Sequence, residues 1–170
     1  MKEVRSERKL TKRYLTKSRF KLAMECPTKL FYNGKSETYK NIKGENEFLE
    51  SLAEGGFQVG KMATMLFPNG VEVEARKNQQ AIDETKKLLN TEEDLVLFEP
   101  AFAHEGLLVR VDIFIRQGSS IELIEVKAKS YDSEDPNFFG NQTPIKSGIL
   151  PYIEDIAFQR YVISKAFPNA

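Results

Sequence analysis

Three apolar runs follow one another closely in the second half of the chain, at 95–103, 107–116 and 121–128. Only His104-Glu105-Gly106 and the four residues 117–120 separate them. Runs rich in Val, Ile, Leu and Phe between Gly-containing turns read as strands. Connections this short join antiparallel neighbours, because a parallel crossover takes a dozen residues or more. A chain carrying this block is committed to an antiparallel meander, and the rest of the sequence has to cover its faces.

The remaining pattern is mostly helical. Thr16 or Ser18 is placed to cap a short helix reaching Met24 or Glu25. Cys26-Pro27 interrupts it, and Pro27 suits the first turn of a second helix through Phe31-Tyr32. Residues 46–65 read as a long amphipathic helix with Phe48, Leu49, Leu52, Phe57, Val59 and Met62 on its apolar side. Gly55, Gly56 and Gly60 inside it predict close helix packing or a break. Phe67-Pro68-Asn69-Gly70 predicts a turn, 71–74 a strand, 78–89 a helix with Ile82, Leu88 and Leu89 inward, and 153–167 a last helix. Residues 131–150 form a long polar loop, in which Phe138-Phe139 has the chemistry to latch over the core or stack on bases. The expected fold is α/β, a short central mixed sheet with an antiparallel meander flanked by helices, in one domain over 1–170. A basic helical region occupies 1–43 and the core 44–170.

Charge narrows the function classes. The chain of 170 residues has 25 basic and 25 acidic side chains, yet residues 1–43 hold 13 Lys/Arg against 4 Asp/Glu. That segregation points to a polyanionic partner at the basic end, with a solvated basic helix as the plain alternative. No apolar run approaches the ~20 residues of a membrane span. No apolar segment follows the basic N-terminus as a secretory signal requires. Cys26 is the sole cysteine, which excludes an internal disulfide framework, and His104 falls in a predicted turn. These features predict a cytoplasmic protein without a membrane partner.

The chemistry concentrates in Val111-Asp112-Ile113 and Ile124-Glu125-Val126-Lys127. If the turn at 117–120 pairs Arg116 with Ile121, Asp112 lies opposite Glu125, with Cβ atoms ~4.5–5.5 Å apart on one face. Lys127 shares that face. Two carboxylates so close repel unless a cation lies between them, and Mg²⁺ or Mn²⁺ is suited to oxygen ligands. The same residues, with Arg110, would also make a cross-strand salt-bridge cluster. Lys129 is placed to contact phosphate or to be solvated at the strand end.

This pair of segments resembles the core of the PD-(D/E)XK nuclease superfamily, and more narrowly its RecB-type branch with the CRISPR-associated exonucleases and their bacterial relatives. Leu15-Thr16-Lys17-Ser18-Arg19-Phe20 with Cys26-Pro27-Thr28-Lys29-Leu30-Phe31-Tyr32 is similar to the N-terminal signature of those relatives. The stretch from Gly56 to Ala63 resembles their Gly-rich first-helix motif, and Ala157-Phe158-Gln159-Arg160-Tyr161 their helical glutamine motif. The resemblance implies a restriction-endonuclease-like core and a Mg²⁺- or Mn²⁺-dependent deoxyribonuclease, a hydrolase of DNA phosphodiesters or the nuclease domain of a larger DNA-processing protein. It implies Asp112, Glu125 and the Val126 carbonyl as metal ligands, Lys127 as the catalytic lysine and Gln159 as a residue that positions the site or the DNA. The sequence departs from the family pattern at Gly60, where a metal-binding histidine often stands, with Glu50 and Glu54 as nearby substitutes. It departs again at Ile163, where a tyrosine is common, Tyr161 being close by. With Cys26 alone this chain holds no iron–sulfur cluster. The expected last strand of the fold is missing from 44–170, which predicts continuation into a larger polypeptide or association with another domain. The alternative is a catalytically inactive nucleic-acid-binding or assembly module of the same fold.

Overall fold

The computed structural model describes residues 13–35, 37–39, 47–91, 93–129 and 145–168, with the backbone alone for 47–50. Phe138-Phe139, Lys9, Lys12 and most of the 131–150 loop lie outside the described residues. The chain runs β1 (Leu15–Thr16), α1 (Lys17–Glu25), α2 (Pro27–Tyr32), α3 (Glu47–Thr64), β2 (Val71–Glu72), α4 (Asn78–Leu89), β3 (Leu95–Phe98), β4 (Ala101–His104), β5 (Leu107–Arg110), β6 (Ile113–Gln117), β7 (Ser120–Ile124) and α5 (Leu150–Ala166). The fold is α/β. Its strands form two mixed sheets, ordered β1-β5-β4 and β2-β3-β6-β7, with helices against them. No helix among the described residues is long and apolar enough to cross a membrane.

The meander is present, but its first two strands are each divided. Pro100 has no N–H to give the ladder, and Glu99 before it takes φ 54°. The partner strand breaks opposite, at Val111-Asp112. Two hydrogen bonds carry the pairing across the gap, Glu99 N–H to Asp112 O (3.2 Å) and Val111 N–H to Pro100 O (3.1 Å). The register is unbroken: Leu95 pairs with Arg116 and Phe98 with Ile113, then Ala101 pairs with Arg110 and His104 with Leu107. One kinked hairpin, closed at Glu105-Gly106, therefore belongs to both sheets. The third run is a regular strand only to Ile124, and 125–129 continue beyond the ladder.

Alternation within each arm of this hairpin builds the core, and the phase shifts by one at the kink. Leu97, Phe102, Val109 and Phe114 face α5, where Phe158, Val162 and Ile163 meet them, and Phe20 of α1 stacks on Phe158 with ring centroids 4.4 Å apart. On the opposite side Ala101 and Leu108 pack with Ala81 and Ile82 of α4, and Phe98, Ile113 and Ile115 pack with Phe67 and Ala63. Ile82 and Leu89 are buried as the spacing predicts, and Thr85 between them accepts the Ala101 N–H (2.9 Å). Helix α5 starts a turn earlier than its apolar pattern, because Pro151 fits a first helical turn.

Helix α3 departs most from expectation. Leu52, Phe57 and Met62 are exposed, at 56%, 75% and 66%. A Cβ on Gly55, Gly56 or Gly60 would have no described atom within 4 Å, so these glycines neither serve close packing there nor break the helix. Gly70 is different: a Cβ on it would overlap the Phe98 ring, so the turn before β2 requires glycine.

Arg116 holds the link between α4 and β3. It is 8% exposed and donates to Leu89 O (3.1 Å), Thr91 O (2.6 Å) and Glu93 O (2.7 Å). Arg116→Met removes these donors and should lower unfolding stability by roughly 1–3 kcal/mol, read as a lower urea midpoint.

Candidate active site

Asp112 sits at the kink, one residue before β6, and Glu125 one residue after β7. The ladder between these strands pairs Arg116 with Ile121 and ends on Ile113 opposite Ile124, so the next step sets Asp112 against Glu125. The pairing inferred from the turn is the observed one. The carboxylates behave differently, however. Asp112 Oδ2 accepts the Val126 N–H at 2.7 Å, closing the end of the ladder with a side chain. Glu125 turns inward, its side chain 3% exposed, and collects donors from three elements. Lys17 Nζ reaches its Oε1 and Oε2 at 3.1 and 3.0 Å, Gln159 Nε2 reaches Oε2 at 2.7 Å, and Lys127 Nζ contacts Oε1.

Lys17 Nζ also lies 3.8 Å from Asp112 Oδ1, so one ammonium is shared by both carboxylates. Its position is set by the backbone. Leu15 N–H bonds to Gly106 O (2.8 Å), Thr16 caps α1 through the Arg19 N–H (3.4 Å), and Lys17 is the first residue of that helix. From the other side, α5 presents Gln159 and, one turn earlier, the fully buried Asp155. Gln159 Nε2 donates to Asp155 Oδ1 at 3.1 Å, and Lys21 Nζ stands 3.5 Å from Asp155 Oδ2. A continuous polar layer thus runs Lys17, Glu125, Gln159, Asp155, Lys21, and ties α1 and α5 to the end of the sheet.

The electrostatics separate the two acids. Burial pushes the Asp112 carboxyl up, Lys17 pulls it back and Glu125 pushes it further, leaving it above its ordinary value. Burial pushes Glu125 up as well, but Lys127, Lys17 and Gln159 together outweigh it and leave the carboxyl below its ordinary value. Burial would lower Lys17, yet Glu125 and Asp112 overcome that and raise it. Glu99, at the kink, is raised by burial and by Asp112, with Arg110 opposing.

Asp112 and Lys127 line a cleft of about 430 Å³ shared with Glu99, Glu72, Gly56 and Gly60. Gly56 and Gly60 of α3 present bare backbone to this cleft.

Of the residues singled out in sequence, Asp112, Glu125, Lys127 and Gln159 meet at one place. Val126 joins them through its N–H. Arg110 does not: it serves Ala75 O (3.0 Å), Val73 O (3.3 Å) and Glu99, and Lys17 takes the place expected of it. Lys129 turns to Gly148 O (3.4 Å) and the Tyr152 ring, and His104 stands at the far end of β4 beside Glu105. Glu54 is exposed, and the Glu50 side chain lies outside the described residues. Cys26 is half-buried at the start of α2, where hydrogen bonds from Thr28 hold its thiol below the usual value.

Lys17, Glu99, Asp155 and Lys21 escaped sequence reasoning about the site. A signal for Lys17 exists: the first turn of α1 has no acid and two bases, the reverse of what a helix N-terminus favours, so a facing negative group is implied. Asp155 and Gln159 are spaced four apart on the helix face that also carries Phe158 and Val162.

The oxygen-only donor set of Asp112 and Glu125 suits a hard divalent cation, and the Lys17 ammonium already stands as a cation between them. Among the described residues, no three His, Cys, Asp or Glu side chains form a metal-holding group. The chain matches none of the known family models, curated proteins or solved structures with which it was compared.

Proposed function

We propose that this chain is a metal-dependent nuclease domain of the PD-(D/E)XK kind, hydrolysing phosphodiester bonds of DNA. One observation carries the reading: Asp112 and Glu125 oppose each other at the frayed end of two strands, with Lys127 and Gln159 both on Glu125 and the cleft alongside. A bound Mg²⁺ or Mn²⁺ would supply an activated water and neutralise charge on phosphate. Asp112 and Glu125 would hold it. Lys127, 35% exposed at the cleft wall, can offer its ammonium to a phosphate oxygen as charge builds there. Gln159 fixes the Glu125 carboxylate, and Asp155 fixes Gln159 by accepting from the same Nε2 amino group.

The basic N-terminal region supports a DNA partner less directly than its charge count suggested. Arg13 donates to Asn33, Arg19 to Tyr14 O, and Lys17 and Lys21 turn to buried acids. Residues 1–12, which hold Lys9 and Lys12, remain the stretch to track phosphates.

A catalytically inactive nucleic-acid-binding module of the same fold has one observation in its favour, the lack of a third metal-binding side chain among the described residues. Incubation with single- and double-stranded DNA and Mn²⁺ or Mg²⁺ decides between them. The nuclease reading expects cleavage by the parent protein that chelation abolishes. DNA binding without cleavage in either metal would leave the inactive module.

A further inference from the structure

The Glu125 carboxylate has no free face. Oε1 meets Lys17 and Lys127, and Oε2 meets Lys17 and Gln159. Asp112 spends Oδ2 on the Val126 N–H and turns Oδ1 toward Lys17. A cation cannot be bound by both acids while this arrangement stands, because the space between them is filled by the Lys17 ammonium. Of the donors, Gln159 is held by buried Asp155, and the Val126 N–H is fixed by the backbone. Lys17 and Lys127 both carry their charge on flexible stems. Of the two only Lys17 is paired with Asp112 as well as Glu125, so Lys17 is the one a shared cation must displace. Its Cα is pinned by Thr16 and by β1 on β5, but the charge sits on a flexible four-carbon stem that retains 22% exposure.

We infer that Lys17 is a tethered counter-cation of the Asp112–Glu125 pair, mutually exclusive with a divalent cation, so that metal loading requires the Lys17 side chain to swing out. The inference rests on the metal-dependent reading above and adds to it a built-in competitor that sets the metal affinity. It also supplies a use for the displaced group. Released beside a cleft that accepts DNA, the ammonium becomes a phosphate contact available only in the loaded state.

Two measurements test it. The first is calorimetric titration of Mn²⁺ into the parent protein, Lys17→Met and Lys29→Met. Lys17→Met keeps the apolar stem and should bind Mn²⁺ at least tenfold more tightly than the parent. Lys29→Met removes an equal charge from a residue paired with the exposed Glu25, outside the polar layer, and should shift affinity less than threefold. The second needs no variant: amine acetylation of the parent, read by mass spectrometry. Saturating Mg²⁺ should speed modification of Lys17 several-fold and leave Lys29, paired with Glu25 on α1, unchanged. Mn²⁺ binding by Lys17→Met alone would also support the inference. Equal or weaker binding by a folded Lys17→Met, or Lys17 labelling indifferent to Mg²⁺ in a protein that binds it, overturns the inference and leaves the nuclease reading intact. Failure of both parent and Lys17→Met to bind Mn²⁺ overturns the two together.

Discussion

Asp112→Asn should leave the metal-free protein as stable as the parent or slightly more so, while cleavage and stabilisation by Mn²⁺ both disappear. The amide keeps the acceptor for the Val126 N–H and the shape of the site. What it loses is a charge that burial and Glu125 already oppose. Stabilisation by a ligand follows RT ln(1 + [L]/Kd), so removal of one strong oxygen ligand should erase the Mn²⁺-induced rise in melting temperature. The pH dependence carries the same sign. The folded-state value for Asp112 lies above its ordinary 3.8, so the native state binds that proton more tightly than the unfolded chain. Its contribution to stability therefore falls as pH rises from 3.8 through the folded value. The variant has no such loss, and its advantage should open between acid and neutral pH. Thermal melts across that range, with and without Mn²⁺, check both statements. A variant less stable than the parent, in a protein whose melt ignores Mn²⁺, would make the cluster a salt bridge and end the metal reading.

Glu125→Gln should do the opposite to the fold, though it also abolishes cleavage. This side chain accepts from Lys17, Lys127 and Gln159, and a glutamine turns an amide donor onto some of those donors. Removing one partner from a fully buried pair costs ~3–5 kcal/mol. Lys17 and Lys127 keep 22% and 35% exposure and can rehydrate in part, so the expected loss is about 2–3 kcal/mol, measured by urea denaturation. Here the folded value lies below the ordinary 4.5. The stabilisation is fully present above 4.5 and lost as pH falls through the folded value, so the deficit of the variant should narrow in acid. Lys17 contributes at the other extreme: its folded value exceeds 10.5, and its share is full below 10.5 and lost as pH rises through the folded value. Two neighbouring acids, replaced by their own amides, should thus move stability in opposite directions. A generic loss of negative charge would move both the same way.

The opposition of Asp112 to Glu125 was legible because a tight turn fixes register, and register fixes which side chains meet. Helices α2 and α4 were legible from Pro27 and from the spacing of Ile82 and Leu89. The kink was not, although Pro100 announced it, because the apolar run continues on both sides and hides a break that preserves the pairing. The partner of Lys17 was hidden for a different reason, although the bases in the first turn of α1 imply some facing negative group. That partner, Glu125, lies 108 residues away, and which acid Lys17 meets is decided by where β1 attaches to β5. Two of the 13 basic residues of 1–43, Lys17 and Lys21, turn inward for the same reason and neutralise acids that the rest of the chain buries. The outward Leu52, Phe57 and Met62 of α3 show that helical periodicity fixes a face without saying what will meet it.

The unbroken count along the kinked hairpin has a consequence for how the molecule comes apart. A single turn at Glu105-Gly106 meters the pairing of β4 on β5 and, past the bend, of β3 on β6, so neither sheet can slip or melt at its shared strands without dragging the other. The two sheets should accordingly exchange their interior amide hydrogens as one cooperative unit, with the amides of Val109 and Phe114 released at a common opening free energy. Domain-like subdivision, which two sheets would ordinarily invite, is denied by a ribbon that belongs to both.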